Sequence, residues 1–353
     1  MANRMYRIGI VGAASLLGKE LSDALQESLL ETADFVLFDD EEAAGQMTAA
    51  GDELAVVQRI EAGSFDKLDF VFFAGEAGVT QEHWQKARQA GASVIDLTYA
   101  LEREREVLVR SPLAWSAMEK DGAATGLAAQ PDLRTPAVVA AHPAAVMLAM
   151  VALRLQATLP LVSVAATVME PASEHGRLAM DEMHQQTVNL LSFQALPKEQ
   201  YDAQVAFNLL PALGDAAKVN LAETAGRIRS HYAALGGSVL PKLALQVVQA
   251  PVFHGYVASM LVEFGRGATL EQVEDAVSFE QIDVVTGEAE PPSNVSAAGQ
   301  DDVMVRVSRD ESDGETSTRF WLWLAADNMK LSALNAIWCA LELRKLRPSG
   351  KVQ

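Results

Sequence analysis

The chain has 353 residues, more than one hydrophobic core usually organises, so two domains are expected. Acidic residues outnumber basic ones 47 to 28, giving a net charge of −19, and a field of that sign disfavours nucleic acid and anionic membrane surfaces as partners. A single cysteine, Cys339, excludes an internal disulfide and fits a reducing compartment.

Tyr6–Val11 is a short apolar run closed by Gly12 and predicts a buried strand. The residues before it lack the layout of a secretory signal, and the apolar stretch Ala144–Leu153 is too short for a bilayer, so a cytoplasmic protein is expected. Leu17, Leu21, Leu25 and Leu29 recur at helical spacing and predict a helix over Leu16–Ser28. Phe35–Phe38, Phe70–Phe73 and Ser93–Asp96 read as further strands, and Thr80–Ala90 as a helix ended by Gly91. Strands alternating with helices imply βαβ units and a parallel sheet.

The pattern changes at His142. Pro143 suits the first turn of a helix, which runs to about Leu155. Leu161–Met169, Ala244–Pro251, Tyr256–Phe264, Asp302–Val307 and Phe320–Leu324 are strand-like, while Leu178–Leu191, Leu221–Leu235 and Leu270–Val277 are helical. Gly287–Gly299 is a loop by composition, and Ser332–Leu346 is a closing amphipathic helix. Fewer crossover helices point to an α+β region with a mixed or antiparallel sheet. The expected fold class is α/β plus α+β, with one domain over residues 1–141, a second over 142–330, and a C-terminal helix in 331–353.

Gly12 follows a strand and Gly18 opens a helix, the setting in which backbone N–H groups cradle phosphate. A tight strand-to-helix turn without a ligand is the plainer reading of the same residues. Beyond it comes Asp39-Asp40-Glu41-Glu42. Carboxylates here accept hydrogen bonds from a ribose 2′-hydroxyl and repel a 2′-phosphate, so NAD is favoured over NADP if a dinucleotide binds. A solvated turn is the alternative.

The glycine segment Ile8–Gly18, the segment Val138–Leu148 around His142-Pro143-Ala144-Ala145, and Gln249-Ala250-Pro251-Val252-Phe253-His254-Gly255-Tyr256 together resemble the aspartate-semialdehyde dehydrogenase family. Asp69–Gly75, Ala92–Asp96, Gly299–Val303 and the Asn335 helix extend the likeness over nearly the whole chain. The resemblance implies a Rossmann-type dinucleotide-binding domain, a C-terminal mixed-sheet dimerisation domain, a last helix returning to the first domain, and a homodimer. It places Gly12, Ser15, Leu16, Gly18, Gly75 and Asn335 at dinucleotide positions. Asp40, Glu42 and Gln46 stand where the family holds a 2′-phosphate with Ser, Arg and Lys.

The family's reactive positions are changed. Its cysteine nucleophile corresponds to Ala145, its histidine base to Tyr256, its substrate glutamine to Glu170, and its carboxylate-binding arginine to Gln249. Cys339 sits in an apolar helix and reads as packing. His142 reads as a cap or a packed side chain, and His254 as a displaced base at most. Ser173, Glu174 and His175 are adjacent in sequence, which rarely brings side chains into one site. His175 and His184 lack zinc spacing, and no metal is expected. The resemblance implies a dehydrogenase-like protein without phosphorylating dehydrogenase activity that keeps a dinucleotide, small-molecule or partner-binding role. The alternative is an active NAD(P)-dependent oxidoreductase acting on an aldehyde in amino-acid biosynthesis.

Overall fold

A computed structural model describes residues 6–28, 30, 34–39, 45, 47–50, 53–119, 130–309 and 314–346. The chain divides into two compact units, one of residues 1–113, 129–141 and 332–353, the other of residues 114–128 and 142–331.

In the first unit, β1 (Arg7–Val11) leads through α1 (Leu16–Gln26) to β2 (Asp34–Asp39). A hairpin of β3 (Met47–Ala50) and β4 (Glu53–Val56) precedes β5 (Gln58–Arg59) and β6 (Phe70–Phe73). Then come α2 (Ala77–Gln89), β7 (Ser93–Asp96), β8 (Leu108–Arg110) and β9 (Val138–Ala140), while α3 (Pro112–Glu119), between β8 and β9 in sequence, belongs mostly to the second unit. Seven strands form one sheet in the order β5-β2-β1-β6-β7-β9-β8, and every pairing is parallel. All four residues of β6 are buried, because both faces of a parallel sheet are covered. Ile8, Ile10, Phe70 and Phe72 pack with Leu21 and Leu25 of α1 and with Ala336, Ile337 and Ala340 near the C-terminus. Val11, Val71 and Phe73 pack on the opposite face with Trp84 and Ala87 of α2.

The second unit contains α4 (Pro143–Thr158), β10 (Leu161–Glu170), a single 3-10 turn Ala172–His175, α5 (Gly176–Leu191) and α6 (Leu221–Gly236). It continues with β11 (Leu243–Gln249), β12 (Tyr256–Ala268), α7 (Leu270–Val277), β13 (Ile282–Val284), β14 (Val303–Arg309), β15 (Ser317–Ala326) and the start of α8 (Asn328–Arg344). The sheet order is β11-β10-β12-β15-β14-β13. The β10–β11 and β13–β14 pairs are parallel and the others antiparallel. Every residue of α4 from Pro143 to Leu153 is buried, as expected of a helix apolar all round, and α4 packs with α6, α7 and β10. The expected pairing of an α/β Rossmann-type sheet with an α+β mixed sheet is what the chain forms. Among the described residues no helix is long and apolar enough to cross a membrane.

The differences from the expected elements have local causes. The three-residue strands β8 and β9 are too short to show a period, and only pairing between distant segments defines them. The strand expected to reach Pro251 stops short: β11 ends at Gln249, and the chain bends before β12 begins at Tyr256. Pro251 has no N–H to give a ladder. Gly255 adopts φ +85°, and a Cβ there would lie 3.0 Å from the Asn294 carbonyl oxygen.

Candidate functional site

The turn between β1 and α1 is built from close backbone contacts. Gly12 has φ +84°, and a Cβ on it would lie 2.3 Å from Gly75 Cα; one on Gly18 would lie 2.1 Å from the Gly12 oxygen. Gly12, Gly18 and Gly75 are therefore demanded by packing, whatever else they do. Ser15 caps α1: its Oγ accepts from the Gly18 N–H at 2.8 Å and donates to the Ala74 oxygen at 2.8 Å. The Gly12 and Ala13 amides donate to the Phe38 oxygen at 2.9 and 3.1 Å. Asp39, the last residue of β2, accepts from the Ala14 N–H at 2.6 Å. Ser15, Leu16 and Leu17 at this helix start are half-buried. Asp40, Glu41, Glu42 and Gln46 lie outside the described residues.

Asn335 is buried in the same unit, where its Nδ2 donates to the Arg110 and Ala141 oxygens at 3.2 and 3.4 Å. Cys339 is also fully buried, with Sγ 3.7 Å from the Arg110 oxygen. Burial, helped by the Glu342 charge, pushes its thiol pKa far up, which favours the inert form.

The second unit gathers the other four positions through its strand register and helix start. Glu170 and Gln249 are register partners at the ends of β10 and β11, and both are fully buried. Along β10, Val164, Ala166, Val168 and Glu170 are the buried residues of an alternating pattern, so Glu170 faces the core. Tyr256 starts β12, pairs with Ala326 and is buried. After Glu170 the chain turns through Pro171 and brings Glu174 and His175 back over this end of the sheet. His175 Nε2 lies 2.5 Å from Glu170 Oε1. His142 Nε2 lies 3.0 Å from Glu174 Oε1, and the His142 and Tyr256 rings are 5.9 Å apart.

His142 is also the N-cap of α4. Its Nδ1 accepts from the Ala144 N–H at 3.2 Å, which assigns the ring proton to Nε2 and directs it at Glu174. Its backbone N–H donates to His231 Nδ1 of α6 at 2.9 Å. Ala145 follows in the first turn of α4 and is fully buried. The neighbours Ser173, Glu174 and His175 go to three different partners: Ser173 Oγ donates to Asn328 Oδ1 at 3.1 Å, and the two others take His142 and Glu170. Asn328 Oδ1 also accepts from the Gly255 N–H at 3.0 Å, which fixes the bend before Tyr256.

Burial on its own raises the Glu174 carboxyl, but the His142 contact, the His175 charge and hydrogen bonding from the Tyr256 hydroxyl prevail and bring it down to about 2. Burial lowers His175, yet its hydrogen bond to Glu170 and the charges of Glu170 and Glu174 prevail and raise it. The site therefore holds an ionised Glu174 against His142 and the Glu170 carboxyl against His175, beside an amide, a phenol and the methyl of Ala145. None of these is a thiol or a free hydroxyl able to attack a carbonyl carbon. Reading the sequence missed the two carboxylate–imidazole pairs and the Asp39 contact, since each joins residues through a turn or across strands. The turn-forming Pro171 between Glu170 and Glu174 is the one signal that the chain doubles back there.

Residues 7–121 match the family model of the semialdehyde dehydrogenase NAD binding domain, and residues 152–330 that of the semialdehyde dehydrogenase dimerisation domain. The chain is 31% identical over 333 residues to a protein of Pseudomonas aeruginosa named USG-1 protein homolog, covering 94% of this chain and 95% of that one. It is 24% identical over 346 residues to the aspartate-semialdehyde dehydrogenase of Rickettsia bellii, covering 97% and 98%. The solved structure of a probable aspartate-semialdehyde dehydrogenase from Pseudomonas aeruginosa superposes with a TM-score of 0.82 at 29% identity, covering 96% of this chain and 98% of that one.

The two shifted groups define a pH window. Glu174 is depressed from 4.5 to about 2, so its stabilisation, on the order of 3 kcal/mol, is present above pH 4.5 and is lost as pH falls toward 2. His175 is raised from 6.5, so its contribution is full below that pH and is lost as pH rises through the folded value. Urea unfolding midpoints are expected to be highest between these limits. Glu174→Gln flattens the acid limb and His175→Gln the alkaline limb; unchanged limbs in the variants contradict the assignment.

Proposed function

Since the chain belongs to the semialdehyde dehydrogenase family, we propose that it retains the family's dinucleotide-binding architecture without phosphorylating dehydrogenase chemistry, and acts by binding a dinucleotide, a small molecule or a partner. The observation that carries this reading is the first turn of α4, where Ala145 is buried and His142 satisfies the Ala144 amide from within the chain. A helix N-terminus activates a thiolate by offering its positive end. Here an imidazole covers that end, and the third residue of the helix presents only a methyl group. Tyr256 supports the same reading, because a phenol is a poor base at neutral pH. Its neighbours Glu174 and His142 are engaged with each other.

The first unit fits a dinucleotide: Gly12 and Gly18 leave no room for a Cβ, and the Leu16 and Leu17 amides lie in the first turn of α1, which carries no acidic residue. A bound dinucleotide brings hydride exchange; the chain would contribute these amides to phosphate and the carboxylates at the end of β2 to the ribose side. Asp39 is held there by the Ala14 amide, and Asp40 follows it. These charges favour NAD.

The second unit supports a homodimer. Trp321 and Trp323 alternate along β15 with buried Phe320, Leu322 and Leu324, and remain 44% and 37% exposed on the opposite face of the strand. Paired exposed tryptophans on a sheet of a dimerisation-domain family are suited to self-association.

Turnover of aspartate semialdehyde with NAD or NADP and phosphate is expected to lie at background, about 10⁴-fold or more below an enzyme with its nucleophile. Measurable wild-type turnover overturns the reading and supports the active-oxidoreductase alternative. Ala145→Cys together with Tyr256→His tests whether restoring the pair restores rate. In calorimetry NAD is expected to bind about tenfold or more tightly than NADP, with Asp40→Ser narrowing the gap; a preference for NADP contradicts the charge argument. In sedimentation, Trp321→Arg is expected to weaken the dimer about tenfold or more, and an unchanged dimer removes this face as the interface.

A further inference from the structure

In the second unit, Glu170 Oε2 and Gln249 Oε1 at the ends of β10 and β11, and the Tyr201 hydroxyl in the loop between α5 and α6, are buried oxygens with no partner among the described residues. Gln249 Nε2 donates to the Glu170 backbone oxygen and to the Ala250 oxygen, both at 3.1 Å, so the amide hydrogens are used and Oε1 is left as a bare acceptor. Glu170 Oε1 takes His175, and Glu170 Oε2 takes nothing. The Tyr201 hydroxyl is likewise without a partner, and the charge on Glu170 reaches it. Glu170, Gln249 and Tyr201 are each 0% exposed. Glu170 and Gln249 stand side by side in register, so their side chains rise from the same face of the sheet. Buried acceptors left unpaired are costly, and a charged one most of all, so this arrangement calls for an occupant that donates hydrogen bonds.

We propose that Glu170, Gln249 and Tyr201 form a receptor for a small primary ammonium group. Two of the three atoms can only accept, which excludes a carboxylate or phosphate oxyanion as the group bound between them. The charge agrees: Glu170, Glu174 and Glu182 surround the region, while its nearby cations are committed, His175 to Glu170 and Arg227 to Glu223 at 3.1 Å. A primary ammonium offers three N–H donors and one positive charge, matching two obligate acceptors and a hydroxyl oxygen. His175, paired with Glu170, has a side chain 19% exposed, while that of Glu170 is fully buried. This receptor lies within the second unit and is independent of whether the protein turns over an aldehyde.

The test uses the full chain without dinucleotide. Methylammonium and ethylammonium are titrated by calorimetry and thermal shift, against tetramethylammonium, acetate and phosphate. Primary amines are expected to bind and raise the melting temperature. Tetramethylammonium, cationic but without N–H donors, and the two anions are expected not to. The near-isosteric Glu170→Gln is expected to lower amine affinity at least tenfold, and Tyr201→Phe severalfold, giving a second variant if the first folds poorly. A crystal structure with ethylammonium is expected to place its nitrogen within hydrogen-bond distance of Glu170 Oε2 and Gln249 Oε1. Equal responses to methylammonium and tetramethylammonium overturn the proposal, as do wild-type affinity in folded Glu170→Gln and a water at this position that saturating amine fails to displace. Loss of this proposal leaves the turnover assay unaffected, and aldehyde turnover leaves amine binding unaffected.

Discussion

The contact between His142 and Glu174 ties the beginning of α4 to the turn that follows β10, and the surrounding polar groups are arranged around it. An imidazole that accepts from the Ala144 amide through one nitrogen has its proton fixed on the other, where it meets the carboxylate. That carboxylate stays ionised although it is buried, because the imidazole and the Tyr256 hydroxyl stabilise the charge. Once Glu174 is held, the preceding turn brings His175 over Glu170, and a second pair forms beside the first. Two pairs of this kind are affordable in a core only because each partner removes the cost of the other.

The same contact bears on chemistry. The start of a helix is a resource that a protein can direct at a thiolate, an oxyanion or its own side chain. In this chain the resource is consumed internally, by His142, at the turn containing Ala145. The first unit has a similar economy at α1, where Ser15 takes the Gly18 amide and Asp39 the Ala14 amide. The two helix starts differ in what remains. At α1, Ser15, Leu16 and Leu17 are only half-buried. At α4 the turn is buried among apolar residues.

The strand ends beside α4 carry a different imbalance. Gln249 turns both amide hydrogens toward backbone oxygens, and this choice, made by the local geometry of β11 and the turn after it, leaves acceptors concentrated next to Glu170. A position occupied by a donor in one protein and by an acceptor in another inverts the charge of the ligand that fits, with the fold unchanged. Fold and ligand preference are thus set by different residues within one sheet.

Much of this protein was legible in its sequence. Apolar runs such as Phe70–Phe73, the leucine period of α1, and Pro143 at a helix start each encode a local preference that the fold obeys, because a continuous buried run or a 3.6-residue period leaves few other ways to hide its side chains. The glycine spacing of the first turn was also readable one residue at a time. The short strands β8 and β9, the bend from Pro251 to Gly255, and the pairs His142–Glu174, His175–Glu170 and Asp39–Ala14 were not. Each depends on where two segments far apart in the chain, or on either side of a turn, come to lie, and on which atom of a side chain is already spent. Sequence determined the elements and the residue types at the site; tertiary structure decided their partners, since hydrogen bonding and charge are settled by distance in space.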